Sequence, residues 1–217
     1  GYGGVAKDDG KAAEWFGKGA NAGSGPAMRV LGDFHISGRG GLAKDEAKAA
    51  EWYKKSAQAN DPYAMQVLAD GYQFGWYGMA KDPAKSVELY RKSADAGVGQ
   101  AMARLGAAYL DGFGGLVKDD VKAAEWFQKA ASADVPWAIR NLGWFYSEAN
   151  GGLAKDEAKA LALFRKAADL KDPGAMSWLG TYYLGGRGGL SSDDLKALEW
   201  YSKGAEGGDE IRKESRE

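Results

Sequence analysis

Proton-moving side chains stand side by side at Asp8/Asp9, Asp119/Asp120 and Asp193/Asp194, and the chain holds a single histidine, His35. Paired carboxyls invite a glycosidase argument, since that reaction needs one acid and a second group acting as base or nucleophile. Each pair, however, opens a lysine-rich helical stretch, and the first Asp is accounted for as its N-cap, accepting a backbone N–H in the first turn. His35 occupies the slot filled by Tyr72, Tyr109, Tyr146 and Tyr183 further on, so packing explains it. One histidine cannot build a multi-histidine metal site, and a serine triad would have to recruit this one. With no cysteine there is no disulfide framework, thiolate site or cysteine nucleophile. The turn "GRGGLAKD" is glycine-rich but lacks the lysine-serine or lysine-threonine ending of a phosphate-binding loop. The expectation is a non-enzyme with no cofactor and no metal.

What positions these residues is a repeated line. "KDEAKAAEWYKKSAQ" starts at Lys44, near-copies start at Lys7, Lys81, Lys118 and Lys155, and a weaker one starts at Ser192, a spacing of 37 residues. Ala49, Trp52, Tyr53, Ser56 and Ala57 follow the i, i+3, i+4, i+7, i+8 pattern of one helix face. Glu51/Lys55, and likewise Glu14/Lys18, Glu88/Lys92, Glu125/Lys129 and Glu199/Lys203, are acid-first pairs four residues apart, suited to a solvated face. The second helix of each unit opens at Asp61-Pro62, Asp172-Pro173 or Ser24, a cap and first-turn signature. It carries Ala27/Leu31, Ala64/Leu68, Ala101/Leu105, Ala138/Leu142 and Ala175/Leu179. After four of these leucines comes Gly32, Gly106, Gly143 or Gly180. A mid-helix glycine costs about 1 kcal/mol relative to alanine, so its recurrence predicts a neighbouring helix passing too close for a side chain.

Composition excludes other classes. Acidic and basic residues nearly cancel, 30 against 29, with no long run of either sign, which predicts no nucleic-acid partner. No apolar stretch approaches the roughly 20 residues of a spanning helix, so no membrane insertion is expected and the chain reads as soluble.

The pattern carried by Ala101, Leu105, Gly106, Tyr109, Gly112, Gly115, Asp119, Lys122, Ala123, Trp126, Phe127, Lys129 and Ala130 resembles the Sel-one-like repeat (SLR) family, relatives of the tetratricopeptide repeat. The family convention calls the leucine-glycine helix A and the lysine-alanine-tryptophan helix B. The resemblance implies an all-α fold, a right-handed α-α superhelical solenoid of helix-turn-helix repeats with helix A on the inner wall. It divides the chain into a partial repeat, 1–24 (a turn plus helix B), five complete repeats, 25–61, 62–98, 99–135, 136–172 and 173–209, and a charged tail, 210–217. Trp15 and Phe16 then lack one neighbour, which predicts self-association through the open N-terminal end. The resemblance also implies adaptor or scaffold roles, often in bacteria, and leaves the periplasm, the exterior and the cytoplasm all open.

Comparison between repeats separates scaffold residues from variable ones. On helix A the variable slots read Arg29, Gln66, Ala103, Arg140, Ser177; then Asp33, Asp70, Ala107, Trp144, Thr181; then Ser37, Phe74, Asp111, Glu148, Gly185. Trp137, Arg140 and Trp144 share a stripe, flanked by small residues of neighbouring repeats. Tryptophan and arginine are enriched at binding hot spots. The expected partner-binding set, in a concave groove lined by helix A, is therefore Arg29, Asp33, Gln66, Asp70, Phe74, Asp111, Trp137, Arg140, Trp144, Glu148, Ser177 and Thr181, with a protein or peptide segment as occupant. Trp137 and Trp144 can equally fill packing volume between repeats. Trp76 and Tyr77, which interrupt one glycine turn, are either a secondary contact or a repacked hairpin. Two alternatives stand beside the scaffold: β-lactam binding or weak hydrolysis, implied by a cysteine-rich branch whose cysteines this chain lacks, and an envelope glycan-binding module using aromatic stacking.

Overall fold

The structure, a computed structural model, describes residues 8–214, with side-chain environments to Gly208. Among the described residues there are eleven α-helices and no strand. They are α1 (Asp9–Asn21), α2 (Gly25–Ser37), α3 (Glu46–Gln58), α4 (Pro62–Phe74), α5 (Pro83–Asp95), α6 (Gly99–Asp111), α7 (Asp120–Ser132), α8 (Pro136–Glu148), α9 (Glu157–Asp169), α10 (Pro173–Gly185) and α11 (Asp194–Glu214). Odd-numbered helices are the B helices and even-numbered ones the A helices. The chain divides into two compact units, one up to Ala101 and one from Met102 onward. Helix α11 runs from the fifth repeat into the charged tail, to Glu214. The turn expected at the very N-terminus lies outside the described residues.

The helices start and stop where local chemistry dictates. Asp8, Asp45, Asp119, Asp156 and Asp193 each accept the backbone N–H three residues on, at 2.8–3.0 Å. The first member of each acidic pair is thus a cap, satisfying an N–H that the helix leaves without a partner. The A helices end on a left-handed residue, Gly38, Gly75, Ala149 or Gly186.

Within each pair, an aromatic ring of helix B lies across the glycine of helix A. A Cβ on Gly143 would stand 2.8 Å from Phe164, one on Gly180 2.8 Å from Tyr201, one on Gly32 2.6 Å from Tyr53 and one on Gly106 3.2 Å from Phe127. The missing side chain is where the helices meet, as the recurrence predicted. Ser56 and Ser93 hydroxyls donate to the carbonyls of Gly25 and Pro62 at 2.7 Å, pinning each B helix to the start of the A helix of its own repeat. The hairpin tips pack back on the preceding B helix. A Cβ on Gly40 or Gly188 would meet the Asp9 or Glu157 carbonyl at 2.7 or 2.8 Å, and both glycines have positive φ. Arg39 clamps Asp9 there through two hydrogen bonds, 2.9 and 3.1 Å, and Arg187 reaches Glu157 at 3.1 Å.

The tryptophan of helix B behaves differently from the sequence expectation. The core takes the next residue, Tyr53, Tyr90, Phe127 or Phe164, all buried. Trp52, Trp126 and Trp200 stay half-buried, each with the lysine three residues on over its ring, Lys55 at 4.7 Å, Lys129 at 4.0 Å and Lys203 at 4.6 Å. Those lysines were expected to pair with the acid four residues earlier; the cation–π geometry takes them instead or as well. Trp15 is 69% exposed with Lys18 4.3 Å above it, while Phe16 packs edge-on against Phe34.

Candidate partner-binding surface

The variable slots of helix A form a stripe along one side of each A helix, and the structure shows what sets their identities. In the first unit, Tyr53 donates to Asp33 at 2.8 Å, and Tyr90 donates to Asp70 at 2.5 Å. In the second unit the corresponding B-helix residue is Phe127 or Phe164, and the slot beside it is Ala107 or Trp144. At Tyr201 the hydroxyl returns, and so does a polar slot, Thr181, at 3.0 Å. A hydroxyl on helix B thus accompanies an oxygen on helix A, because a buried polar group without a partner is costly.

The next slot follows a second rule. Arg140 Nε donates to Asp172 at 2.9 Å, and Arg29 Nε lies 3.7 Å from Asp61. Those two aspartates are the buried N-caps of the following A helices, already accepting from Ala175 and Ala64. Where the cap is Val98 or Val135 the slot is Gln66 or Ala103, with no guanidinium. Gln66 turns to Asp70 instead, at 2.5 Å. Ser177 and Thr181 also bond backbone carbonyls one turn back, at 3.2 and 3.3 Å.

What the stripe offers to solvent is aromatic. In the first unit Tyr63 is 56% exposed beneath Arg29, whose guanidinium lies 5.6 Å from the ring centre. Phe74, 36% exposed, stacks on Trp76, 49% exposed, with ring centres 4.8 Å apart. Tyr77 belongs to the packing: it is half-buried, its ring centre 5.5 Å from that of Tyr53, and burial raises its pKa. It holds φ at +60°, a left-handed conformation that a bulky residue adopts at a cost. Its neighbour Trp76 occupies the place of the Arg39 and Arg187 clamps, which frees an indole at the hairpin tip. In the second unit Trp137 sits edge-on to Phe127 at 5.9 Å with Arg104 5.8 Å over its ring, and Trp144 sits edge-on to Phe145 at 5.0 Å. Both indoles are half-buried; Glu148 is exposed 3.7 Å from Arg187, and Asp111 is exposed. Sequence reasoning missed Tyr63 and Arg104. Tyr63 had a readable signal, since it shares the repeat position of Trp137.

His35 is buried, and its Nδ1 donates to the Ala43 carbonyl at 3.1 Å, tying the helix end to its turn. Among the described residues no group of three His, Asp or Glu side chains forms a metal site. No helix among them is long and apolar enough to cross a membrane.

The Sel1 repeat model matches residues 1–24, 25–61, 62–98, 99–135, 138–172 and 173–209. The chain belongs to the Sel1 repeat family. Sel1 repeat proteins generally act as non-catalytic scaffolds that bind other proteins. A comparison with curated proteins finds no match. Among solved structures, a protective antigen of uropathogenic Escherichia coli strains with an SLR fold is 34% identical, with TM-score 0.77, over 93% of this chain and 42% of that one. A Sel1 repeat protein from Oxalobacter formigenes is 24% identical, TM-score 0.79, over 94% of this chain and 84% of that one. An immunity protein from Pseudomonas aeruginosa is 26% identical, TM-score 0.55, over 94% and 69%. The Sel1 array here therefore spans less than half of the E. coli antigen.

Proposed function

We propose that this Sel1 array is a non-catalytic adaptor that holds an extended segment of another protein against its A-helix stripes, with the stripe of the first unit as the main anchor. The observation that supports this most directly is the Phe74–Trp76 stack, two exposed rings on a stripe that also presents Tyr63 and Arg29. Aromatic and arginine anchors dominate binding energy at interfaces, and their exposure here leaves apolar area that a partner can remove from water. The second-unit residues Trp137, Arg140, Trp144, Glu148, Ser177, Thr181 and Asp111 are a proposed contact set of that unit's own stripe. Arg140 also serves the fold through Asp172, so its loss reads out in stability as well as binding.

The test is selection from a displayed peptide library on the immobilised array, followed by calorimetry of the selected peptide. Trp76→Ala with Phe74→Ala is expected to weaken binding about tenfold or more at unchanged unfolding midpoint, the cost of losing one or two hot-spot side chains. A selected peptide that binds this variant as well as the parent overturns the assignment. Exposed stacked rings also suit sugar faces, so a glycan array run with the same variant gives the second reading its own outcome: Trp76-dependent glycan binding without peptide binding.

A further inference from the structure

A second surface lies on the other side of α4. Met65, Leu68 and Tyr72 occupy i, i+3 and i+7 on that helix, away from the stripe of Tyr63, Gln66, Asp70 and Phe74. They floor an open groove of about 670 Å³ between α3 and α5, with Leu89 on its far wall. The charged residues lining it are Lys54, Lys85 and Lys92, with no acidic residue. Lys85 stands 4.5 Å from the Tyr72 ring centre, and Lys92 reaches Glu88 at 2.6 Å. Lys54 also lines an adjoining hollow of about 660 Å³. The second unit treats the same positions differently. Gln128 stands for Lys54 and Asp134 for Asn60, and Lys166, the counterpart of Lys92, is bound to Asp134 at 2.6 Å. Both units pair the last lysine, Lys92 or Lys166, with a carboxylate, but only the first keeps a lysine at the Lys54 position beside Lys85, and only the second adds an acid at the Asn60 position.

We propose that the α3/α5 groove is a second docking site, for an acidic amphipathic helical segment of a partner protein. A helix lying between two helices offers apolar side chains at i, i+3, i+4 and i+7 to such a floor, and Met65 adapts its shape to them. Carboxylates on the flanks of that helix face Lys54 and Lys85, which sets sign and orientation. The site shares no residue with the stripe, so each proposal fails independently of the other.

The probe is a fluorescein-labelled peptide of about 14 residues, some four helical turns, with leucines at i, i+3, i+4 and i+7 and glutamates on the remaining face. Fluorescence anisotropy is expected to show saturable binding that weakens with added salt. Lys54→Glu with Lys85→Glu should reduce affinity about tenfold or more, a change of about 1.4 kcal/mol per decade. Circular dichroism checks that the variant folds. Gln128→Glu with Lys159→Glu in the second unit and Trp76→Ala on the stripe should leave affinity unchanged. The proposal is overturned if the double-lysine variant binds as the parent does, if a lysine-for-glutamate peptide binds equally, if a scrambled peptide of the same composition does, or if vesicles of equal phosphatidylserine and phosphatidylcholine bind while the peptide does not.

Discussion

Tyr90 and Asp70 show how one hydroxyl decides its neighbour. Tyr90 is buried and donates to Asp70, itself buried, which also accepts from Gln66. Tyr90→Phe alone should cost about 1.5–3 kcal/mol, the range for a hydrogen bond to a charged group. Adding Asp70→Ala reproduces the Phe127/Ala107 pairing and should recover a good part of the loss. Chemical denaturation of the four species measures the coupling; additive effects would mean the two residues act independently. Gly143 makes a different case, because space rather than polarity is short. Gly143→Ala gains about 1 kcal/mol of helix propensity but sets a Cβ 2.8 Å from the fully buried Phe164 ring. The ring has nowhere to go, so a net destabilisation is expected, from overpacking costs of about 1–3 kcal/mol. Gly106→Ala, with 3.2 Å to Phe127, should be milder. Equal unfolding midpoints for the two variants would refute the steric account.

At the scale of helices, two A helices, α4 and α10, are begun by a buried aspartate that faces an arginine of the preceding A helix. Asp172 caps α10, and Arg140 of α8 supplies its countercharge at 2.9 Å. Arg140→Ala leaves a buried carboxylate with only helix N–H partners, an expected loss of about 1.5–3 kcal/mol. Adding Asp172→Val rebuilds the Ala103/Val135 combination that the chain itself uses, and the midpoint should largely return. A double variant no more stable than Arg140→Ala would show that the arginine works through packing alone. The same pairs mark how far the sequence could be read. The helix pairs, their caps and the close approach at Gly32 or Gly143 followed from periodicity and glycine placement, which are local signals. The stripe was visible as variation, yet why Asp33 and Asp70 differ from Ala107 was not. Their partners stand 20 residues away on another helix, and the pairing becomes visible only once two columns are compared together. The tryptophan of helix B misled for a related reason: i, i+3 spacing fits a buried face, but the lysine three residues on covers its exposed ring.

At the scale of the whole molecule, one device recurs along the array and gives it a shared response to pH. Asp8, Asp45, Asp119 and Asp193 are held below the ordinary carboxylate range, first by backbone N–H groups of Lys11, Lys48, Lys122 and Lys196 at the helix starts. Their folded pKa values are depressed, so their stabilisation is complete above the unfolded value of about 3.9. It disappears as pH falls through the folded values. Tyr53 moves the opposite way: burial first, then the Asp33 carboxylate, raises its pKa far above the usual range. Its stabilisation is intact below the unfolded tyrosine value of about 10 and is withdrawn as pH climbs beyond it. Thermal unfolding followed across pH should give a plateau through neutrality, an acid limb opening below pH of about 4 and an alkaline limb opening above about 10. Asp45→Asn with Asp119→Asn, in which the amide oxygens still cap, should lower the plateau little while making the acid limb shallower, because two of the four titrating caps are gone. Tyr53→Phe with Asp33→Ala should flatten the alkaline limb. An acid limb equally steep with and without those two aspartates would place the acid sensitivity elsewhere and remove the caps as its origin.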